Sequence, residues 1–171
     1  MISENIKQRS LLRAGLIDAV LLSVACLIPA VSHLLALPIS MLNPLLMVVV
    51  AGMLLVNSKW NAYILALVVP FFTCLVTGMP TPLGALCMVC EYATVVTLFS
   101  LVGSRNSGFR WAFGSILTSI VAGKAVYYVA KWLLVRPEQL VGTSIVWQAV
   151  SVLAISVVFA LLWYKKTDKR C

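Results

Sequence analysis

Long apolar runs recur along the whole chain and are separated only by short polar or basic connections. A helix needs about 20 predominantly apolar residues to cross a bilayer, so this length leaves room for roughly six crossings and no extramembrane domain. Hydrophobic residues make up 62% of the chain and charged residues only 11%, which is unlike a soluble domain. We therefore predict an all-α integral membrane protein, with residues 1–171 forming a single six-transmembrane-helix bundle.

Basic residues mark the orientation of the predicted helices. The predicted spans are 14–31, 41–56, 60–76, 82–102, 111–135 and 144–164. Lysine and arginine collect before the first span, after the second, after the fourth and after the sixth, whereas Arg136 lies in a connection on the other side. By the positive-inside rule this asymmetry places both termini in the cytoplasm. It also accounts for the net charge of +8, so we infer no nucleic-acid binding.

Proline and glycine mark the starts and turns of several predicted helices. Pro44 and Pro82 each fall in a predicted first turn, where the missing N–H of proline costs little. Gly78 permits a sharp turn before the fourth helix. The first apolar run is long enough to span the membrane and has no clear cleavage site, so we expect the first helix to be retained.

The stretch 77–93 joins a Gly/Pro turn to an apolar helix that carries one carboxylate, Glu91. At a rise of about 1.5 Å per residue, Glu91 lies ~13 Å below the outer membrane edge, and Lys124 on the fifth helix lies ~16 Å below it. An unpaired charge at this depth is costly. Two compatible interpretations are open: a structural ion pair between packed helices, or the polar floor of a ligand cavity open to the outside.

Further candidate ligand contacts lie nearer the outer edge than this pair. Lys131 shares a helix face with Lys124, and aromatic side chains suit a planar ring by stacking. His33 is the only histidine and falls in the predicted outer connection 32–40, where it is either a solvated loop residue or a ligand contact. One histidine does not make a metal site. The candidate substrate-binding residues are Glu91, Lys124, Lys131, Tyr127, Tyr128, Asn43, Trp147 and His33.

Small residues recur every four positions on the first predicted helix. Gly15, Ala19 and Ser23 therefore lie on one helix face and form a ridge that lets another helix approach closely. This small-residue ridge either packs inside the protein or forms a docking surface for another subunit.

Cys87 and Cys90 form a C-x-x-C pair, which occurs in redox couples and in half of a metal site. Here the pair lies in an apolar helix without a second cysteine pair or an intramembrane histidine, so core packing is the favoured interpretation. The chain has no phosphate-binding loop and no hydrolase or metalloprotease motif. We therefore expect no bound ATP, and any uphill transport must draw its energy from a partner or an ion.

These features together resemble the substrate-binding S components of energy-coupling factor (ECF) transporters. The resemblance rests on the outer turn TGMP at 77–80, which leads into an apolar helix with Glu91 at its middle. The segment LPISMLNPLLMVVVAG at 37–52 is similar to the family's proline-containing outer loop and second helix, and 59–79 follows its third helix and exit. The resemblance covers about residues 18–103, and helices five and six match in length and hydropathy only.

The resemblance implies a multi-pass protein of the prokaryotic cell (inner) membrane that binds a vitamin or related micronutrient from outside. It also implies docking on a transmembrane T component coupled to two cytoplasmic ATPases. The family docks through an Ala-xxx-Ala motif on helix one, which Ala19 and Ser23 match, with Gly15 extending the ridge. Ser23 departs from alanine but stays small, so close approach is expected to survive. No enzymatic activity, cofactor or metal is expected on this chain.

Other classes of protein remain open from the sequence. A small membrane scaffold of the rod-shape morphogenesis type has a similar size but needs no intramembrane charges around an outer cavity. A membrane thiol oxidoreductase would use Cys87 and Cys90 and would lose its function when both were replaced. A stand-alone ion-coupled carrier is disfavoured because the chain shows no internal repeat and carries a single acidic site in mid-membrane.

Overall fold

The computed structural model describes residues 2–34, 43–56, 58–78, 80–103, 108–134 and 145–168, with side chains from Leu12 to Ile28 in the first helix. Within these ranges the chain forms six α-helices. They are α1 (Ile2–Leu34), α2 (Pro44–Leu55), α3 (Lys59–Thr77), α4 (Pro82–Val102), α5 (Phe109–Leu134) and α6 (Ile145–Asp168). The prediction of an all-α protein is confirmed for the described residues.

Four of these helices are long and apolar enough to cross a membrane. They cover Lys59–Thr77, Pro82–Val102, Phe109–Leu134 and Val146–Thr167. Helix α2 is also apolar but has only 12 residues. The described part of the chain therefore has the character of a multi-pass helical membrane protein.

The proline, glycine and threonine residues at the helix ends adopt the positions that their residue types favour. Pro44 and Pro82 each lie at the start of a helix, as expected. Gly78 follows α3 with a φ of 72°, in the left-handed region that glycine occupies without steric cost. Thr81 caps α4, since its side chain accepts a hydrogen bond from the Gly84 amide at 3.2 Å. These features end α3 and begin α4 only a few residues apart.

Several helix bounds differ from the predicted spans. Helix α1 runs on to Leu34, so His33 lies in a helix and not in the connection where it was predicted. Helix α2 begins at Pro44 and not at residue 41, and α6 continues to Asp168 beyond the predicted end at 164. Apolar runs report the part of a helix that matches the bilayer core, whereas polar residues extend α1 and α6 past that core.

The helices pack mainly against their neighbours in sequence, as short connections require. Helix α4 contacts both α3 and α5, and α5 lies between α4 and α6. Helix α2 is in contact with α1, α3, α4 and α6, so it lies at the centre of the bundle. At one end, an aromatic cluster of Phe99, Phe159 and Trp163 joins α4 to α6, with ring centroids 4.8 to 5.8 Å apart.

Candidate functional site

Lys124 and Glu91 form an ion pair between α5 and α4. The Lys124 Nζ lies 2.8 Å from the Glu91 Oε1. The two groups differ in exposure, because the Glu91 side chain is 1% exposed and that of Lys124 is 22% exposed. The ion pair expected from their equal depths is therefore present, and its cation is the member that reaches the surface of the bundle.

A glycine on α5 brings the two helices close enough for this pair. A Cβ placed on Gly123 would lie 2.9 Å from the backbone oxygen of Glu91 and 2.7 Å from the Val95 Cγ2. Both distances are shorter than normal contacts, so only a residue without a side chain fits here. The close approach of α4 and α5 at Gly123 sets Lys124, the next residue, beside the carboxylate.

Asn43 ties the start of α2 to the same carboxylate. Its Nδ2 donates to the Glu91 Oε1 at 3.4 Å, and its Oδ1 accepts from the Tyr92 hydroxyl at 3.2 Å. The Asn43 backbone is left-handed, with φ 48° and ψ 61°, a conformation that asparagine tolerates better than most residues. The predicted candidate Asn43 therefore does belong to this cluster, as a support for Glu91.

Aromatic and cationic side chains continue along α5 from the ion pair. The Lys124 Nζ lies 5.3 Å from the centroid of the Tyr127 ring, and the Lys131 Nζ lies 5.9 Å from the same centroid. Both are cation–π distances. The ring of Tyr128 meets that of Tyr127 edge-on at 5.5 Å. The structure thus joins Lys124, Tyr127, Tyr128 and Lys131 into one row, which we call the α5 cation–aromatic row.

Of the two other predicted residues, only Trp147 has a side chain that the structure describes. Trp147 is 53% exposed on α6 and makes no ring contact with the described residues, which suits an interface anchor better than a cavity wall. The side chain of His33 lies outside the described part of the chain. Gln148, which follows Trp147 on α6, does contact the α5 cation–aromatic row. Its Oε1 accepts a hydrogen bond from the Tyr128 hydroxyl at 2.6 Å and so links α5 to α6.

Sequence reasoning missed two members of the site, Tyr92 and Gln148. Tyr92 is fully buried and supports Asn43, but it follows Glu91 directly and so points to a different side of an apolar helix. Gln148 carried a usable signal, since it is an amide within the apolar first turns of α6. A polar side chain among apolar ones in a membrane helix calls for a partner on a neighbouring helix.

The small-residue ridge of α1 faces away from the bundle. Gly15, Ala19 and Ser23 are exposed, whereas Leu21 and Ala25 on the opposite side of the helix are buried. A Cβ placed on Gly15 would meet nothing within 4 Å. The interpretation of this ridge as internal packing is therefore wrong, because α1 contacts α2 and α3 with its other face.

The C-x-x-C pair lies on α4 near the ion pair. Cys87 is buried and Cys90 is partly buried, and both thiols are free. Among the described residues no group of three or more histidine, cysteine or acidic side chains is placed to hold a metal ion.

Comparison with known proteins gives no relative: no family model matches the chain, and no curated protein or solved structure does. The site combines one buried carboxylate with partly exposed side chains on α5. Its carboxylate is occupied by Lys124 and Asn43, and its partly exposed groups are ammonium and phenol side chains. Such groups attract and orient an anionic or carbonyl-bearing ligand.

Proposed function

We propose that this chain is the substrate-capturing S component of an ECF-type importer and binds a vitamin or related micronutrient from the outer side. The observation that carries the proposal is the α5 cation–aromatic row, which continues from the Glu91–Lys124 ion pair. Charged groups inside a membrane protein face an interior or a cavity, where they serve a solute.

The proposed topology has six spans, with both termini in the cytoplasm of a prokaryotic cell and the protein in its (inner) membrane. The basic residues at one end of the predicted spans support this orientation. In this topology the row from Lys124 to Lys131 leads outward, so a ligand enters from the outer face. The chain itself is not an enzyme, and two ATPase subunits coupled to a T component supply the energy.

The ligand meets the lysines and tyrosines of the row, and Glu91 stays behind them. With a 1% exposed side chain, Glu91 has little surface to offer, whereas Lys124 retains 22%. The role of Glu91 is then to hold the Lys124 ammonium in place and to offset part of its charge. Lys131 lies seven residues further along the helix, so ~10 Å separates the two along the axis. That length suits a planar ligand with an anionic or carbonyl group at one end.

The proposed docking surface for the T component is the small-residue ridge of α1. The ridge is exposed, and small side chains let a second helix approach closely in a membrane, where apolar burial gives no drive. The Ser23 hydroxyl donates to the Ala19 carbonyl at 2.9 Å, so its polar group is satisfied without a partner chain. Ser23 therefore presents a smooth small surface, as an alanine would.

Small molecules that co-purify with the protein test the capture proposal directly. We expect mass spectrometry to find a compound that the wild-type protein retains and that Lys131→Gln retains at least tenfold less. Lys165→Gln is the matched control, since Lys165 is an exposed lysine at the far end of α6. A compound retained equally by all three proteins, or none retained by wild type, would contradict capture at this row.

A membrane scaffold of the rod-shape morphogenesis type is the second candidate, because the exposed small-residue ridge suits it equally well. A scaffold requires the ridge for its partners but not the α5 cation–aromatic row. It therefore predicts normal complex formation and no retained compound for both wild type and Lys131→Gln. The co-purification experiment separates the two functions.

A further inference from the structure

A cavity of about 220 Å³ lies at the end of the bundle opposite the cation–aromatic row. It is formed where α2 and α4 end and α3 begins, and α6 closes it with Trp163. Its lining residue Phe99 is eight positions along α4 from Glu91, which separates the two sites by ~12 Å along the axis. The cavity holds several times the roughly 30 Å³ that a water molecule occupies in the liquid, so it admits a small polar group.

The wall formed by the start of α3 is positive and polar. Lys59 lines the cavity, is exposed and forms no ion pair with any residue that the structure describes. Ser58 precedes it, lines the cavity and makes no side-chain cap hydrogen bond. The first turn of α3 contains no acidic residue. An anion in the cavity would therefore meet an ammonium and a hydroxyl.

Trp163 lines the opposite wall of the cavity. Its indole Nε1 is buried and has no hydrogen-bond partner in the described part of the chain. The ring itself is held by contacts with Phe99 and Phe159. An indole N–H donates and does not accept, and a buried donor without a partner destabilises the protein. Acceptor oxygens in a ligand beside this ring would suit the indole N–H, whereas donors would not.

Two further charged side chains among the described residues, one acidic and one basic, lie near this end. Asp18 approaches α3 from α1, where its Oδ1 accepts from the Asn61 Nδ2 at 2.8 Å. Lys166 on α6 lies 5.7 Å from the centroid of the Trp163 ring, and its Nζ donates to the Leu54 carbonyl at the end of α2. An anion in the cavity therefore meets Lys59 directly, whereas Lys166 lies beside the Trp163 ring.

The lipid-facing surface continues from the rim of the cavity. Leu55 and Leu101 each adjoin a segment that lines the cavity, and both are exposed apolar side chains. Trp60, next to Lys59, is also highly exposed, as expected at a membrane–water interface. A headgroup in the cavity would place its acyl chains along this apolar surface.

We propose that this cavity binds the phosphate of an anionic phospholipid headgroup, with Lys59 and Trp163 as its direct contacts. A zwitterionic lipid carries the same phosphate with a cationic group beside it, which Lys59 repels. The inference is independent of substrate capture at the outer end.

Native mass spectrometry of the detergent-purified protein tests this site, with phosphatidylglycerol or phosphatidylcholine of the same acyl chains. We expect the wild-type protein to retain phosphatidylglycerol preferentially, and Lys59→Gln to lower its affinity about fivefold, the effect of one basic residue near an anionic lipid. Trp163→Phe keeps the ring contacts, removes the donor and should also weaken retention. Lys165→Gln is the control, because Lys165 is exposed on α6 but does not line the cavity.

Equal retention of the two lipids by the wild-type protein would overturn the proposal. An equal loss of phosphatidylglycerol affinity in Lys59→Gln and Lys165→Gln would also overturn it, since it would indicate diffuse attraction to a basic surface. Displacement of phosphatidylglycerol by inorganic phosphate at equal concentration would overturn the lipid assignment, because the phosphate alone would then be sufficient. Unchanged melting temperatures of the lipid-free variants would exclude misfolding as the cause of lost binding.

Discussion

The Lys124 ammonium lies 2.8 Å from the Glu91 carboxylate, and only the ammonium side of this pair has appreciable exposure. Each charge is therefore the main support of the other inside the bundle. Removing Lys124 leaves a buried carboxylate uncompensated, and removing Glu91 leaves the partly exposed ammonium without its partner, so either single change is more costly than removing both.

A double-mutant cycle measures this dependence. We expect Glu91→Gln and Lys124→Met each to lower the free energy of unfolding by about 3 kcal/mol, the low end for breaking a buried ion pair. The double variant should lose clearly less unfolding free energy than the sum of the two single-variant losses. Reversible unfolding in mixed detergent gives the four free energies. Losses that add within about 0.5 kcal/mol would show that the two side chains are not coupled.

Gly123 should be far less tolerant of a side chain than another glycine on the same helix. Gly123→Ala places a Cβ against the Glu91 backbone and should destabilise by about 1–3 kcal/mol, as overpacking does. Gly114→Ala is the control, because its Cβ would meet nothing within 4 Å. There we expect no loss or a gain of up to about 1 kcal/mol from helix propensity. Thermal denaturation in detergent ranks the two, and equal melting temperatures would refute the close approach of α4 and α5.

Asn43 combines a left-handed backbone with two side-chain hydrogen bonds, and two variants separate these roles. Asn43→Gly keeps the backbone free to adopt φ 48° but removes the bonds to Glu91 and Tyr92, so we expect a loss of about 1–2 kcal/mol. Asn43→Ala removes the same bonds and adds about 1 kcal/mol of strain from the left-handed conformation. Unfolding free energies should therefore rank wild type, glycine and alanine in that order. An alanine variant as stable as the glycine one would contradict the left-handed geometry.

The small-residue ridge of α1 should matter for assembly and not for stability. Ala19→Trp fills an exposed position, so we expect an unchanged melting temperature and loss of the proposed complex with a T component and ATPases. Val20→Trp, also exposed but about 100° further around the helix, should keep the complex. Co-purification of the co-expressed subunits measures both. If Ala19→Trp formed the complex at the wild-type level, the ridge would not be the docking surface.

The ion pair could be predicted from the sequence because helix rise is constant, so residue number converts directly into depth. The sequence places Glu91 and Lys124 at similar depths on helices joined by a short connection, and the structure pairs them. The support from Tyr92 could not be predicted in this way, since depth does not say which side of an apolar helix a residue occupies. Asn43 was recognisable as a candidate, but its bond to Glu91 depends on how α2 is placed against α4.

The ridge of α1 shows a different limit of sequence reasoning. Spacing alone puts Gly15, Ala19 and Ser23 on one face, but small residues favour close packing with an internal helix and with another chain alike. Only the position of α1 against α2 and α3 decides between them, and it leaves the ridge exposed. Helix length was also hard to predict. The apolar run of α1 indicates only the part that matches the bilayer, and the helix continues beyond that run.

The shortness of α2 determines how the protein responds to bilayer thickness. Its 12 residues span only ~18 Å, well below the roughly 30 Å of a hydrocarbon core. Of these residues only Met47 and Leu55 are exposed, because the other helices surround it. Hydrophobic mismatch acts on surfaces that touch lipid, so a thicker or thinner membrane will change the tilt of the outer helices. Helix α2, and with it Asn43, will then move with the protein around it and not with the lipid.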